Sequence, residues 1–315
     1  MYCAGFSAVA REKSHHGPAA CRAPKAATEC RMGRTAISHH DSPLGRWSRA
    51  FYFPDPPLAD HVQLFWHVSG RANYLRDRRL PTGNAHLLFN LGAAPTLFAR
   101  ETGGPSRSFP TCWLAGQSES FIETGSHGDT VLLGAQFHSH GAYRLLRLAQ
   151  HELSDQVIEL EALLGDQVLG LRQRLLDTPL PLTRFVLLEQ WLLRLLEGGP
   201  EVHPAVVEAS RTIASTHGQI ALPALSRHTG FSREHLIRRF REQVGLTPKA
   251  YGNIVRFNRA LELARAPASS WAEIAHSCGY YDQSHLVRDF QRFAGRAPAT
   301  LLRDARPDAA SIVIE

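Results

Sequence analysis

The sequence HLIRRFREQVGLTP at residues 235–248 recurs fifty residues later as HLVRDFQRFAGRAP at residues 285–298. The two stretches share a His-Leu pair, an arginine, a phenylalanine, a glycine and a proline at identical spacing. A repeat of this kind predicts one structural unit that is built twice. We therefore expect two copies of one helical unit with one shared function.

Each copy has the pattern of a short helix, a glycine-containing turn and a longer helix. In the first copy, Gly230 ends the short helix and Ser232 is a suitable N-terminal cap for the longer helix. The longer helix would bury Leu236, Phe240 and Val244, which lie four residues apart. This pattern is typical of a helix-turn-helix unit, in which the second helix reads the major groove of DNA.

The second copy repeats the pattern after Gly279. Either Asp282 or Ser284 can cap its longer helix, because both side chains accept hydrogen bonds from backbone N–H groups. Its buried stripe is predicted to consist of Leu286, Phe290 and Phe293. A single pattern of this kind is also typical of an ordinary helical hairpin, whereas two joined copies are far more specific.

A third helix is predicted between the two units. It opens at Thr247-Pro248, with proline in the first turn, and its apolar pattern runs on to Pro267. Such a linker helix would hold two recognition helices at a fixed separation. If they enter successive major grooves, they lie roughly 34 Å apart.

Residues 203–306 resemble the DNA-binding domain of the AraC/XylS family of bacterial transcription regulators. The matching landmarks include Leu225 to Gly230, Gly245-Leu246-Thr247-Pro248-Lys249, Ile274-Ala275 and Asp282-Gln283-Ser284-His285-Leu286. The resemblance implies an all-α domain that binds double-stranded DNA, RNA polymerase as a protein partner, and activation more often than repression. One departure is the second turn, where we expect Tyr280 to pack in the core and leave the role of Tyr281 open.

The resemblance places base-contacting positions on the two longer helices, here called the recognition helices. Together with neighbouring residues, the predicted DNA-binding residues are Ser232, Arg233, Glu234, Ile237, Arg238, Arg241, Gln283, Ser284, His285, Val287, Arg288 and Arg292. Arg238 and Arg288 occupy equivalent places in the repeat, and arginine is the residue that most often reads guanine. The alternative for each is a structural ion pair, since Asp282 and Asp289 lie close to Arg288 in sequence.

The charge distribution agrees with DNA binding. Residues 203–306 contain fifteen Lys and Arg against eight Asp and Glu, a net charge of +7, whereas residues 51–202 have a net charge of −4. The positive charge is therefore concentrated where the phosphate backbone would lie. No apolar stretch reaches the ~18 residues of a membrane-spanning helix, so we expect no membrane partner. The N-terminus lacks a signal-peptide core, and the five cysteines show no CxxC spacing, which together favour a reducing cytoplasm.

The residues before the repeat show a different sequence pattern. Short β-type runs are predicted at residues 61–68, 85–91, 96–99, 112–115, 121–123 and 130–137, and helical patterns at residues 141–198. The expected fold is multidomain, with an N-terminal α+β domain, a small β-barrel or sandwich followed by helices, and an all-α C-terminal domain of two helix-turn-helix units joined by a linker helix. The predicted boundaries are 1–45 for a disordered tail or start-site extension before Met32, 46–198 for a regulatory domain, 199–204 for a linker, 205–306 for the DNA-binding domain and 307–315 for a C-terminal tail.

Two motifs of the front half resemble the regulatory domain of a subset of AraC-type proteins. They are Leu80-Pro81-x-Gly83 and Gly134-x2-Phe137-x3-Gly141. This resemblance implies binding of a small-molecule effector, formation of a homodimer, or both. The rival hypothesis is a DNA-binding protein without an effector, whose front half serves only for dimerisation or partner docking.

An enzymatic front half is the alternative from a different class. A metal site for zinc or iron would draw on His86, His127, His138, His140, His151, Glu119, Glu123 and Glu152, with the rings of His138 and His140 on one face of a strand. A thiol that accepts alkyl groups would draw on Cys112 or on Cys3, Cys21 and Cys30, which lack the spacing of such modules. The sequence also lacks a G-x-S-x-G motif and a phosphate-binding G-x4-G-K-[ST] loop. We therefore expect no enzyme activity, no cofactor and no bound metal.

Overall fold

The computed structural model describes residues 30–32, 34–98, 106–125, 128–265, 270–304, 307–308 and 310–314. Its strands are β1 (Cys30–Met32), β2 (Thr35–Ser42), β3 (Gly45–Tyr52), β4 (Val62–Ala72), β5 (Asp77–Arg79), β6 (His86–Asn90), β7 (Thr96–Phe98), β8 (Arg107–Ser108), β9 (Cys112–Ala115), β10 (Ile122–Gly125), β11 (Asp129–Phe137), β12 (Val157–Glu159) and β13 (Ser311–Val313). Its α-helices are α1 (Gly141–Leu146), α2 (Leu160–Leu164), α3 (Gln167–Leu176), α4 (Pro181–Leu196), α5 (Pro204–Ser215), α6 (Leu222–Thr229), α7 (Arg233–Val244), α8 (Pro248–Leu263), α9 (Trp271–Ser277), α10 (Gln283–Ala294) and α11 (Pro298–Leu301).

The strands form two sheets that, with α1 to α4, make up the N-terminal domain. The larger sheet has the order β1-β2-β3-β4-β11-β6-β9-β12, and the smaller sheet has the order β13-β5-β10-β7-β8. Every pairing between described strands is antiparallel. The predicted β-rich front half followed by helices is thus confirmed.

Two hydrophobic cores hold the molecule together. The first lies between the larger sheet and the helices α1 to α4, and Phe65, Phe89 and Phe185 are fully buried in it. The second fills the C-terminal domain, which consists of α5 to α11, and also takes in Leu80 of the N-terminal domain and Ile312 of β13. The second core therefore crosses the boundary between the two domains.

The motif Leu80-Pro81-x-Gly83 lies at this boundary. Leu80 packs in the second core, and the carbonyl of Pro81 accepts a hydrogen bond of 3.0 Å from Asn258 of α8. An added Cβ at Gly83 would lie 2.8 Å from the ring of Tyr251 on the same helix. This motif therefore joins the N-terminal domain to the linker helix.

Three sequence predictions in this part of the fold were wrong. The prediction of disorder for residues 1–45 fails for residues 35–42, because β2 pairs with β3 along eight residues; residues 1–29 lie outside the described part. The helical pattern near Val157 is strand β12, which pairs with β9. The predicted C-terminal tail contains β13, which pairs with β5 and buries Ile312 completely. For β12 and β13 a pairing partner distant in sequence overrides the weak local pattern, whereas β2 forms a hairpin with the adjacent strand β3.

Candidate nucleic-acid interface

The first recognition helix is α7, and its start is fixed as the sequence predicts. Ser232 is the N-terminal cap, and its Oγ accepts a hydrogen bond of 3.3 Å from the backbone N–H of His235. Leu236 and Phe240 are fully buried beneath the helix. The opposite face is left to solvent, with Glu234 and Arg238 exposed.

A cleft runs along this exposed face. Its volume is about 480 Å³, and four of its lining residues are predicted DNA-binding residues of α7, namely Glu234, Ile237, Arg238 and Arg241. The opposite wall is His151, an exposed residue of the N-terminal domain. The structure therefore brings together on one open surface four of the six residues that the sequence assigned to the first recognition helix.

The second recognition helix is α10, and the structure decides between its two predicted caps. Asp282 is the cap, and its Oδ1 accepts a hydrogen bond of 2.7 Å from the backbone N–H of His285. Ser284 lies two residues further on and is exposed, like its neighbour Gln283. Tyr280 is buried as expected, whereas Tyr281 is 93% exposed beside the helix start.

A cluster of side chains ties the start of α10 to the linker helix α8. The Nη2 atom of Arg256 lies 3.3 Å from Oδ2 of Asp289 and 3.5 Å from Nε2 of His285. Its guanidinium carbon lies 4.4 Å from the ring centre of Tyr280, within cation–π range. His285, a predicted DNA-binding residue, is therefore half-buried and engaged inside the domain. Sequence reasoning gave Arg256 no role, because its partners lie about thirty residues away in the chain.

Both leading arginines lie on the surface. Arg238 and Arg288 are exposed, and within the described residues neither forms an ion pair. Asp289, which the sequence offered as a partner for Arg288, is instead bound to Arg256. Both guanidinium groups are consequently accessible from solvent.

One predicted DNA-binding residue is held by the N-terminal domain. Arg292, in the last turn of α10, forms an ion pair with Glu119, which lies between β9 and β10. Nothing in the local sequence signals this contact, because the two residues are 173 positions apart. A phosphate group at Arg292 would have to compete with this carboxylate.

Two of the three carboxylates considered for a metal site are engaged in ion pairs instead. Glu119 binds Arg292, and Glu123 binds Arg76 and Arg78. Across the described ranges, no group of three or more His, Cys, Asp or Glu side chains is arranged to hold a metal ion; His127 lies outside those ranges.

The expectation that His138 and His140 share a strand face was wrong. β11 ends at Phe137, and His140 is the N-terminal cap of α1. Their rings still lie side by side, with 6.1 Å between the ring centres. Burial lowers the pKa of His140 to about 3, so this imidazole is neutral near pH 7.

The thiol that was considered as an alkyl acceptor is poorly suited to that chemistry. Cys112 is a free, buried cysteine of β9. Burial raises the pKa of its thiol well above the usual range, which disfavours the reactive thiolate. Cys3 and Cys21 lie outside the described residues.

Comparison with known families agrees with this geometry. Residues 225–304 match the model of a helix-turn-helix domain, which covers both units and the linker helix. Residues 50–159 match a domain of unknown function, DUF6597. In the part of the chain that the structure describes, each helix is too short or too polar to traverse a lipid bilayer.

Several curated proteins are similar to this chain. An uncharacterized HTH-type transcriptional regulator, YbfI of Bacillus subtilis, is 30% identical over 146 residues, which are 44% of this chain and 50% of that protein. The HTH-type transcriptional activator RhaS of Salmonella arizonae is 28% identical over 152 residues, 45% of this chain and 55% of that protein. The chain thus spans about half the length of these curated relatives. The solved structure of ToxT from Vibrio cholerae covers 76% of this chain and 98% of its own, with 12% identity and a TM-score of 0.43.

The C-terminal domain is a helix-turn-helix DNA-binding domain that carries the motif twice. The order of its landmarks and the match to regulators of this type confirm the resemblance drawn from the repeat. In this domain the chain is similar to HTH-type transcription regulators, as the resemblance to the AraC/XylS family implies.

Proposed function

We propose that this protein is a sequence-specific transcription regulator, an activator, that grips asymmetric DNA with α7 and α10. The observation that carries the proposal is the pair of capped recognition helices with their reading faces exposed. Each presents an arginine at the same repeat position, Arg238 on α7 and Arg288 on α10. Because the two faces belong to one domain, a single chain would read two major-groove segments.

The remaining predicted residues have roles that follow from their chemistry. Glu234 accepts from cytosine N4 or repels wrong sequences, and Ile237 and Val287 touch thymine methyl groups. Gln283 pairs with adenine, and Arg233, Arg241 and Arg292 contact phosphates. His285 supports the start of α10 through its contacts with Tyr280 and Arg256. RNA polymerase is the protein partner that an activator requires.

The N-terminal domain is proposed to control DNA binding, as a sensor of a small-molecule effector or as a dimerisation domain. Dimerisation is supported by three exposed apolar side chains at α4, namely Leu180, Leu182 and Val186. Exposed apolar patches of this kind often mark protein interfaces. An effector that binds only the folded protein would raise its melting temperature, so a thermal-shift screen of the full chain separates a sensor from a purely structural domain.

The test of the proposed function is selection of bound duplexes from random DNA by the purified full chain, with salt varied. We expect enrichment of a motif that spans two major-groove segments. Binding without an enriched motif, with a steep decrease of affinity at higher salt, would mean that the basic surface only holds phosphates. That outcome would overturn the proposal of sequence-specific regulation.

A further inference from the structure

The N-terminal domain contacts both recognition helices at the same place. In both copies of the repeat, the recognition helix ends at a glycine with a left-handed backbone, Gly245 with φ of +99° and Gly295 with φ of +63°. The carbonyl groups at such an end have no partner inside the helix and carry the negative end of the helix dipole. They are therefore ready acceptors for groups of another domain.

At the first helix the donor is Ser154, which follows the turn that carries His151. Its Oγ donates a hydrogen bond of 2.9 Å to the carbonyl of Gly245. The contact is close, because a Cβ added at Gly245 would lie 2.7 Å from this Oγ atom. Nearby, the hydroxyl of Tyr143 on α1 donates to Glu242 of α7 at 3.4 Å.

At the second helix the donor is Arg78 of β5. Its Nη1 atom lies 3.2 Å from the carbonyl oxygen of Ala294 and 3.3 Å from that of Gly295. The guanidinium is fixed by a 2.7 Å bond from Nε to Glu123 and by the ring of Phe121, 4.3 Å away. A Cβ added at Gly295 would lie 2.6 Å from Nη1. This cation also complements the helix dipole at its negative end.

We propose that the N-terminal domain sets the distance and relative angle of the two recognition helices, with Ser154 and Arg78 as the positioning residues. This inference rests on the proposed function of the chain as a regulator that reads two DNA segments. The linker helix α8 is held by the same domain, through Asn258 and the carbonyl of Pro81. The three attachments hold both recognition helices and the linker helix on the N-terminal domain, and Arg238 and Arg288 stay exposed.

This arrangement has a consequence for DNA recognition. One base pair added between two contacted segments moves one of them by roughly 3.4 Å and rotates it by about a tenth of a turn. If both recognition helices are held rigidly, such a change strongly weakens DNA binding. If one helix is freed from the N-terminal domain, the loss of affinity is smaller. The loss of affinity on changing the spacing, called here the spacing penalty, therefore reports on how firmly the N-terminal domain holds the two helices. General weakening of the fold would lower the affinity for all duplexes alike.

The experiment measures the dissociation constants of the full chain for the selected duplex and for duplexes with one base pair inserted or removed between the two contacted segments. Arg78→Ala is compared with the unchanged protein, and Ser154→Ala removes the other hydrogen bond with little risk to folding. Arg76→Ala is the matched control, since Arg76 binds the same Glu123 carboxylate, at 2.5 Å, and lies over Phe98 of its own domain.

We expect Arg78→Ala to reduce the spacing penalty by about three- to tenfold and Ser154→Ala to reduce it less, in line with the loss of one or two hydrogen bonds. Arg76→Ala should keep the original penalty. The inference is overturned if Arg78→Ala or, where that variant does not fold, Ser154→Ala retains the full penalty, or if Arg76→Ala reduces it equally. If the unchanged protein selects no spaced motif, the proposed function itself fails.

Discussion

The two helix-turn-helix units have the same backbone plan but are tied to the molecule differently. In the first unit, Arg239 pairs with Glu242 of its own helix at 3.0 Å. In the second, the equivalent residue is Asp289, which binds Arg256 of the linker helix. The positions that the two copies share therefore determine where the helices lie. The positions at which the copies differ determine which residues each helix contacts.

The attachments predict different mechanical roles. Arg238 on α7 has no ion pair or side-chain hydrogen bond among the described residues, whereas α10 is joined to α8 through His285 and Asp289. Movement of the linker helix would therefore be transmitted to α10 more directly than to α7.

The largest expected effect concerns the cores of the two units. Phe240→Ala and Phe290→Ala should each lower the free energy of unfolding of the C-terminal domain by about 3 to 5 kcal/mol, because both rings are fully buried. The loss should be greater for Phe290, whose ring lies 5.0 Å from Phe257 and 5.8 Å from Trp271, whereas Phe240 has Tyr251 at 5.9 Å. Urea unfolding followed by circular dichroism measures both. Equal losses would show that the aromatic cluster does not distinguish the units.

Acid is expected to destabilise the N-terminal domain, to which both units are attached. Burial and the nearby Arg184 lower the pKa of His67 to about 4, and burial with Arg79 lowers that of His86 to about 4. An unfolded histidine titrates near 6.5, so the stability that depends on these neutral rings is complete above pH 6.5 and is lost as the pH falls towards 4. For His67 alone the loss amounts to about 3 kcal/mol.

The measurement is the melting temperature of the full chain between pH 7.5 and pH 4.5. His67→Gln keeps an acceptor for the 2.7 Å hydrogen bond from Arg184 but does not titrate, so its melting temperature should depend less on pH. A variant with the same pH dependence as the unchanged protein would contradict the assignment to His67.

The next effect compares the two reading arginines. Arg238→Ala and Arg288→Ala should each weaken binding to the selected duplex by about 1 to 3 kcal/mol if each reads a base, and each should relax the preference at its own DNA segment only. Arg239→Ala is the control, because that side chain is paired with Glu242. Fluorescence anisotropy with duplexes mutated in one segment at a time gives the result. Unchanged affinity and preference for either variant would exclude a reading role for that arginine.

Local pattern explains what could be predicted from the sequence. The buried residues of α7 and α10 lie three or four positions apart, so a reader of the sequence can find Leu236, Phe240 and Phe290 without knowing the fold. The strands β4, β6, β9 and β11 were found in the same way, from short apolar runs. The exposed arginines followed from their position opposite these stripes.

Contacts between distant residues explain what could not be predicted. Arg78 and Gly295 are 217 positions apart, and β13 joins β5 across a similar distance. Neither has a periodicity that marks its partner, since pairing depends on the folded arrangement of both domains. The sequence also could not decide the N-terminal cap of α10. Asp282 and Ser284 are equally good caps by residue type, and only the backbone geometry selects Asp282.

The smallest expected effect tests that selection. Asp282→Ala should lower the free energy of unfolding by about 1 kcal/mol, and Ser232→Ala by somewhat less. The hydrogen bond at Asp282 is shorter, 2.7 Å against 3.3 Å at Ser232, and its carboxylate also favours the positive end of the helix dipole. Ser284→Ala is the matched control and should leave stability within about 0.5 kcal/mol of the unchanged protein, as is usual for an exposed position. If urea unfolding shows a larger loss for Ser284→Ala than for Asp282→Ala, α10 begins two residues later in solution, and the two units differ at their starts as well as in their attachments.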